Sequence, residues 1–309
     1  MTTLATIDVG TNTTLLLVAR ADAAGHVTVL DERAEITRLG RGIGAGGALG
    51  ADAIARTLDV LRGYAEIARR HGARIAAIGT EALRRAPNGA DFLRPAAEIL
   101  GVPVEVIAGA REAALTFRAA AASFPDDARA GALAVVDIGG GSTEIILSDR
   151  GAVTWSASLP LGSVRLTEVH VGHDPATDAE IAAIVRQVDA ALATVPFVTN
   201  ATPPTLIGIA GTVTSLAAMA LQLATYDPAR VHGYDLALPA LDGEIARLRA
   251  SSQAERERIV GLDPRRADVI LAGALILRRI AATARAPAVR VSDRGIRWGL
   301  LYEALAATP

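Results

Sequence analysis

The sequence contains no lysine; all 31 positions in its Lys-plus-Arg count are arginine. A Walker A loop needs its lysine against the phosphates, so a P-loop nucleotidase is excluded. An enzyme that forms a lysine Schiff base is excluded too. Cysteine is also absent, which removes disulfides, thiol nucleophiles and thiolate metal sites. The five histidines, at positions 26, 71, 170, 173 and 232, show no metal-ligand spacing. There is no G-x-S-x-G elbow to suggest a serine nucleophile. Neither sign of charge dominates: 31 basic against 33 acidic residues leaves −2, with no basic block for DNA or RNA and no acidic tail. The longest apolar run, Val269 to Leu277, is far short of a bilayer span. The first residues lack the basic start of a signal peptide. A soluble, cytoplasmic protein with neither nucleic-acid nor membrane partner is expected.

What is present is a well-buried α/β pattern. At 309 residues and 51% hydrophobic content, two domains are expected rather than one core. Strand-like stretches flank Gly10–Asn12. Residues 51–72 carry Ile54, Leu58, Leu61 and Ala65 on one helical face. Strands over 74–79 and 102–107 then alternate with helices near 91–100 and over 111–124. The polar stretch "FPDDARAG", 124–131, reads as a junction. After it the pattern restarts, with helices over 178–195 and 264–284, a strand over 288–292 and a last helix from Gly295 to Ala306. Strands mixed with crossover helices indicate α/β. The halves also share a repeat: Asp8, Gly10, Thr13 and Thr14 match Asp137, Gly139, Ser142 and Thr143 at one offset of 129 residues. Two related halves facing each other across a cleft would follow, and ligands favour such clefts.

Each repeat is a strand, an aspartate, a small polar turn and a second strand. Glycine-rich turns present backbone N–H groups as a nest for oxyanions. Gly10, Thr11, Asn12 and Thr13 form the first candidate, and Gly139, Gly140, Gly141, Ser142 and Thr143 the second. An aspartate beside a phosphate nest repels phosphate unless it holds a cation or water. Mg²⁺, which accepts one or two carboxylates together with waters and phosphate oxygens, reconciles the two. Asp8 and Asp137 are therefore candidate metal ligands, and Glu144 is a second carboxylate at the far end of the second turn. A third strand–glycine–helix junction at Gly211 and Thr212 offers a helix N-terminus to another phosphate or to a nucleoside. Arg84 has the planar fork that suits a polyanion. Glu112, in the first turn of its helix, either complements the helix dipole or serves as a general base.

Together "IDVGTNT", "GTEALRRAPNG", "VIAGAREA", "VVDIGGGSTE", "LPLGSVRLTE", "GIAGTVTSLAAM", "VHGYDL", "RRADVILAGALIL" and "VSDRGIRWGLL" resemble the exopolyphosphatase/guanosine pentaphosphatase family, in its short two-domain form. The resemblance implies two actin-like (ribonuclease H-like, ASKHA superfamily) domains with an interdomain active-site cleft. Their boundaries would be 1–124 with the C-terminal helix 293–309, and 125–292. It implies Mg²⁺-dependent release of terminal phosphate from polyphosphate or guanosine pentaphosphate, with Glu112 activating water. Asp137 and Glu144 would serve metal and water, the glycine turns would hold phosphates, and Arg84 would grip the chain. Two departures stand out: Arg111 where the family has a glutamate before Glu112, and Leu15 where many members carry arginine. Two other readings stay open, an actin-like ATPase or kinase and a non-catalytic polyphosphate or alarmone sensor. A homodimer is compatible with the sequence.

Overall fold

The computed structural model of the protein describes residues 2–22, 26–43, 47–197 and 203–307. The chain divides into two compact units, Met1–Ala119 with Ile296–Pro309, and Ala120–Gly295.

The first unit is built on strands β1 (Thr2–Val9), β2 (Thr13–Ala21), β3 (Val27–Ile36), β4 (Arg74–Gly79) and β5 (Val104–Val106), in the sheet order β3-β2-β1-β4-β5. The second uses β6 (Ala132–Ile138), β7 (Thr143–Asp149), β8 (Ala152–Leu159), β9 (Thr205–Ile209), β10 (Asp235–Ala237) and β11 (Ala288–Val291), in the order β10-β11-β9-β6-β7-β8. With the short edge strand β10 set aside, the two orders are the same. In each unit an antiparallel three-strand meander leads, a fourth strand joins the first in parallel, and a fifth joins the fourth in parallel. This is the α/β, two-domain architecture that the resemblance implied. The parallel pairs require crossovers, and the amphipathic helices supply them.

Periodicity explains the helices. Ala51–Arg70 buries Leu58, Leu61, Tyr64, Ala65 and Ala68, a stripe three and four residues apart. It packs with Phe92 and Ala96 of the helix Gly89–Leu100 over Ala5, Ile7 and Val9 of β1. In the second unit Asp178–Leu192 opens with a capping box in which Thr177 and Glu180 satisfy each other's backbone N–H groups. Glu180 also accepts from Gly172 and His173, so residues 172–175 form a loop tied back to the helix start.

Two elements differ from expectation. The junction "FPDDARAG" contains a helix, Pro125–Ala130, because proline at its first turn with Asp126 and Asp127 behind it makes a favourable N-terminus. The helix expected over 264–284 starts later, at Ile270, after a short 3₁₀ turn at Pro264–Arg266. That turn is capped by the Asp263 side chain on Arg265 N–H, which takes the chain out of α-helical register.

Candidate functional site

The repeated turns have the same construction. In the first, Gly10 N–H donates to Thr13 carbonyl at 3.1 Å, and in the second Gly139 N–H donates to Ser142 carbonyl at 3.0 Å. The registers agree residue for residue: Val9 faces Thr14 and Asp8 faces Leu15, while Ile138 faces Thr143 and Asp137 faces Glu144.

In both turns the carbonyls are drawn back by a neighbouring segment. Arg38 and Gly40 donate their N–H groups to the carbonyls of Asn12 and Thr11, each at 2.9 Å. Ser163, Val164 and Arg165, at the start of the helix Ser163–His170, donate to the carbonyls of Gly139 and Gly140 at 3.0 Å. Arg165 Nε adds a bond to Gly141 carbonyl at 2.9 Å. The N–H groups of Thr11, Asn12, Gly140, Gly141 and Ser142 have no hydrogen-bond partner among the described residues, although Asn12, Gly140, Gly141 and Ser142 are buried. Buried backbone donors are almost always satisfied, so these turns leave donors open to an acceptor such as water or a ligand oxygen.

Two glycines whose supporting role the repeat does not reveal, Gly40 and the Gly162 of "LPLGSVRLTE", make this possible. A Cβ on Gly162 would run into the main chain of Gly140 and Gly141, and one on Gly40 would meet the Thr11 methyl. Each follows a buried leucine, Leu39 or Leu161, just beyond the third strand of its unit. The Leu-Gly pairs lie 122 residues apart rather than 129, so a fixed-offset comparison misses them.

The hydroxyls divide into two groups. Thr143 donates to Leu161 carbonyl at 2.5 Å and Thr14 bonds Thr37 at 3.0 Å, so both hold the turn to its supporting segment. Thr143 was expected to add a phosphate donor, and its hydroxyl is committed instead. Thr212 likewise donates to Ile138 carbonyl at 3.3 Å, which ties the helix Ala210–Ala220 to the end of β6. Only its backbone is left for the expected phosphate contact. At that junction Ala210 takes φ +71°, and the Arg266 guanidinium lies where a Gly211 side chain would be. Arg266 is half-buried and its sequence gave no signal of this placement.

The carboxylates form cross-strand rows. In the second unit Asp137, Glu144 and Ser158 are register partners on β6, β7 and β8. Glu144 is only 1% exposed and accepts from Ser158 Oγ at 2.6 Å, while Asp137 is half-buried. The corresponding row in the first unit is Asp8, Leu15 and Ala34. Among the described residues no group of three His, Cys, Asp or Glu side chains could alone hold a metal ion. A pair of hard oxygen donors beside an anion nest fits Mg²⁺, which completes its shell with waters and phosphate.

The remaining candidates meet in the first unit. Arg84, on the short helix Glu81–Arg85 after β4, and Glu112, in the first turn of Gly109–Ser123, form an ion pair at 2.6 Å. Arg84 Nη1 also donates to Ile107 carbonyl at 2.8 Å, and Nη2 to Glu81 at 3.0 Å. Burial pushes the Glu112 carboxyl above its ordinary range; Arg84 pulls it down without cancelling that cost, and Glu81 adds a small push upward. Arg84 loses to burial too, but its two acidic partners outweigh the loss and hold it protonated. Arg111 faces elsewhere, bonded to Glu105 at 3.1 Å and to Glu303 of the last helix at 2.8 Å. That helix, Ile296–Ala306, packs Ile296 and Leu300 against Ile78, Ile107 and Leu115. The departure at 111 therefore serves helix packing and leaves the neighbours of Glu112 in place.

A family pattern covers residues 17–308, that of the Ppx/GppA phosphatase family. The chain belongs to this family. It is 37% identical to exopolyphosphatase 2 of Mycobacterium tuberculosis over 92% of both chains. Its structure is similar to that of an exopolyphosphatase from Cytophaga hutchinsonii, with a TM-score of 0.90 and 29% identity over 99% of each chain. It also resembles the Aquifex aeolicus Ppx/GppA family member, at a TM-score of 0.83 and 33% identity over 100% and 99% of the two chains. Among the described residues no helix is long and apolar enough to cross a membrane.

Proposed function

We propose that this family member is an Mg²⁺-dependent exopolyphosphatase that releases the terminal phosphate of short polyphosphate, with guanosine pentaphosphate as a second substrate of the same chemistry. The observation that carries the reading is the pair of turns whose carbonyls are tied back and whose N–H groups await an acceptor. The relatives named exopolyphosphatase support polyphosphate as the substrate.

Phosphoryl transfer asks the protein mainly to position groups and stabilise charge. Gly10, Thr11, Asn12 and Thr13 receive phosphate oxygens, as do Gly139, Gly140, Gly141 and Ser142, with Gly211 contributing its backbone N–H. Asp137 and Glu144, with Asp8, are the residues that would hold Mg²⁺, which would neutralise phosphate charge when bound. Glu112 takes the proton of the attacking water, and Arg84 fixes the orientation of that carboxylate. Burial suits Glu112 to the task, because a raised pKa makes a stronger base.

Glu112 works ionised, so kcat should rise with pH through an apparent value above the ordinary carboxylate range. The folded state holds this proton more tightly than the unfolded state, so the group's contribution to stability falls as pH rises over the same window. Glu112→Gln should lower kcat by about 10²–10⁴-fold with KM little changed. The decisive assay measures phosphate release from short polyphosphate, long polyphosphate and guanosine pentaphosphate, with and without Mg²⁺. Release from none of them with Mg²⁺ present would reject the proposal. Tight binding without release would select the sensor reading, and ADP formation from ATP with an acceptor would select the kinase.

A further inference from the structure

Arg84 has more anionic company than a phosphate-gripping arginine needs. Its Nη1 is shared between the Ile107 carbonyl and Glu112, and its Nη2 belongs to Glu81 at 3.0 Å. The side chains of Arg84, Glu81 and Glu112 are 19%, 17% and 11% exposed, so water competes little for these bonds. Glu81 also lies 3.8 Å from Arg85 Nε on the far side. Glu81 and Arg84 are one turn apart on a helix of five residues, whereas Glu112 and Ile107 come from a separate segment. A guanidinium is planar, so fixing one edge fixes the direction of the other.

We propose that Glu81 is a positioning residue: by holding the Nη2 edge of Arg84 it commits the Nη1 edge to Glu112, and so decides which Glu112 oxygen is left for the attacking water. This rests on the reading of Glu112 as the base. Two consequences separate it from a merely structural contact. Glu81 brings a negative charge as well as an acceptor, and the charged groups recorded around Glu112 are Arg84 and Glu81 itself; Arg111, on the same helix, is turned to Glu105 and Glu303. A Gln at 81 keeps the acceptor for Nη2 and removes the charge, whereas Ala removes both.

The test compares the wild type, Glu81→Gln and Glu81→Ala in phosphate release from short polyphosphate across pH, after matching their thermal melts. Glu81→Ala should lower kcat about tenfold, short of the ~10²-fold of a full ångström's misplacement, without raising KM. Glu81→Gln should recover most of that loss. In both variants the acidic limb of the kcat profile should move to lower pH, because a neighbouring negative charge has gone. Wild-type kcat and an unmoved limb in Glu81→Ala would overturn the proposal. Equal losses in both variants with the limb unmoved would overturn it too, since that is the behaviour of a packing contact. The Glu112 carboxyl is also titrated by ¹³C NMR on glutamate-labelled protein, with Glu112→Gln giving the assignment. If no substrate is turned over, the functional reading fails, but the titration still tests Glu81: a Glu112 value unchanged in Glu81→Gln rejects the coupling.

Discussion

The two units carry the same turn on the same scaffold and spend it differently. On the second, the row behind the turn reads Asp137, Glu144, Ser158; on the first it reads Asp8, Leu15, Ala34. One repeat has paired carboxylates and a hydroxyl where the other has an acid backed by apolar side chains. The first unit holds its second acid elsewhere, at Glu112, with an arginine as its partner. A duplicated backbone fixes where N–H groups point, because hairpin register and tied-back carbonyls set that direction. It does not fix what stands behind the turn, because a side chain on a strand can change without altering the ladder. On the proposed function, anion binding would belong to the repeat, whereas metal handling and proton transfer would belong to the differences.

Three substitution pairs can break that comparison. The largest effect is expected from the aspartates. Asp137→Asn should lower kcat/KM by several kcal/mol of lost charge stabilisation, about 10²-fold or more, and shift the Mg²⁺ requirement upward. Asp8→Asn should do less, because no second carboxylate faces it across the hairpin. Equal losses and equal Mg²⁺ shifts would remove the asymmetry.

Next come the supporting glycines. Gly162→Ala forces a methyl into the main chain at Gly140 and Gly141, and should destabilise the second unit by about 1–3 kcal/mol or more. Gly40→Ala meets the end of the Thr11 side chain, which can turn away, so a smaller loss is expected. Urea unfolding monitored separately for each unit checks the order.

The smallest effects are expected from the tying hydroxyls. Thr143→Val leaves Leu161 carbonyl without its donor, and Thr14→Val leaves a Thr37 hydroxyl that can rotate to another partner. Losses of about 1 kcal/mol are expected, with Thr143 the larger. The same denaturation measurements decide it, and a larger loss at Thr14 would reverse the reading.

Much of this was legible in the residues. The repeat at a constant offset gave two related halves, and the motif order gave the family and the fold. Long amphipathic stretches such as 51–72 appear as helices within two residues of their expected ends. Other features were not legible, for physical reasons. The correspondence of Gly40 with Gly162 was hidden by loops of unequal length. The committed hydroxyls of Thr143 and Thr212 look like any other donors until their acceptors, 18 and 74 residues away, are placed. Arg84 suited a polyanion by type, but only its neighbours show that it is already shared between two glutamates. Arg266 lies in the motif "RRADVILAGALIL", but nothing in those residues tells that it reaches Gly211 across a long span of chain.

The sequence by itself determined the class of chemistry and the scaffold. Residue types, glycine spacing and apolar periodicity are local properties, and they set turns, strands and helices wherever the chain goes. Only the tertiary structure decided which polar groups are spent on the protein and which are left open. A hydroxyl, an amide or a guanidinium is assigned by the partner it meets, and that partner is supplied by distant segments packed against it.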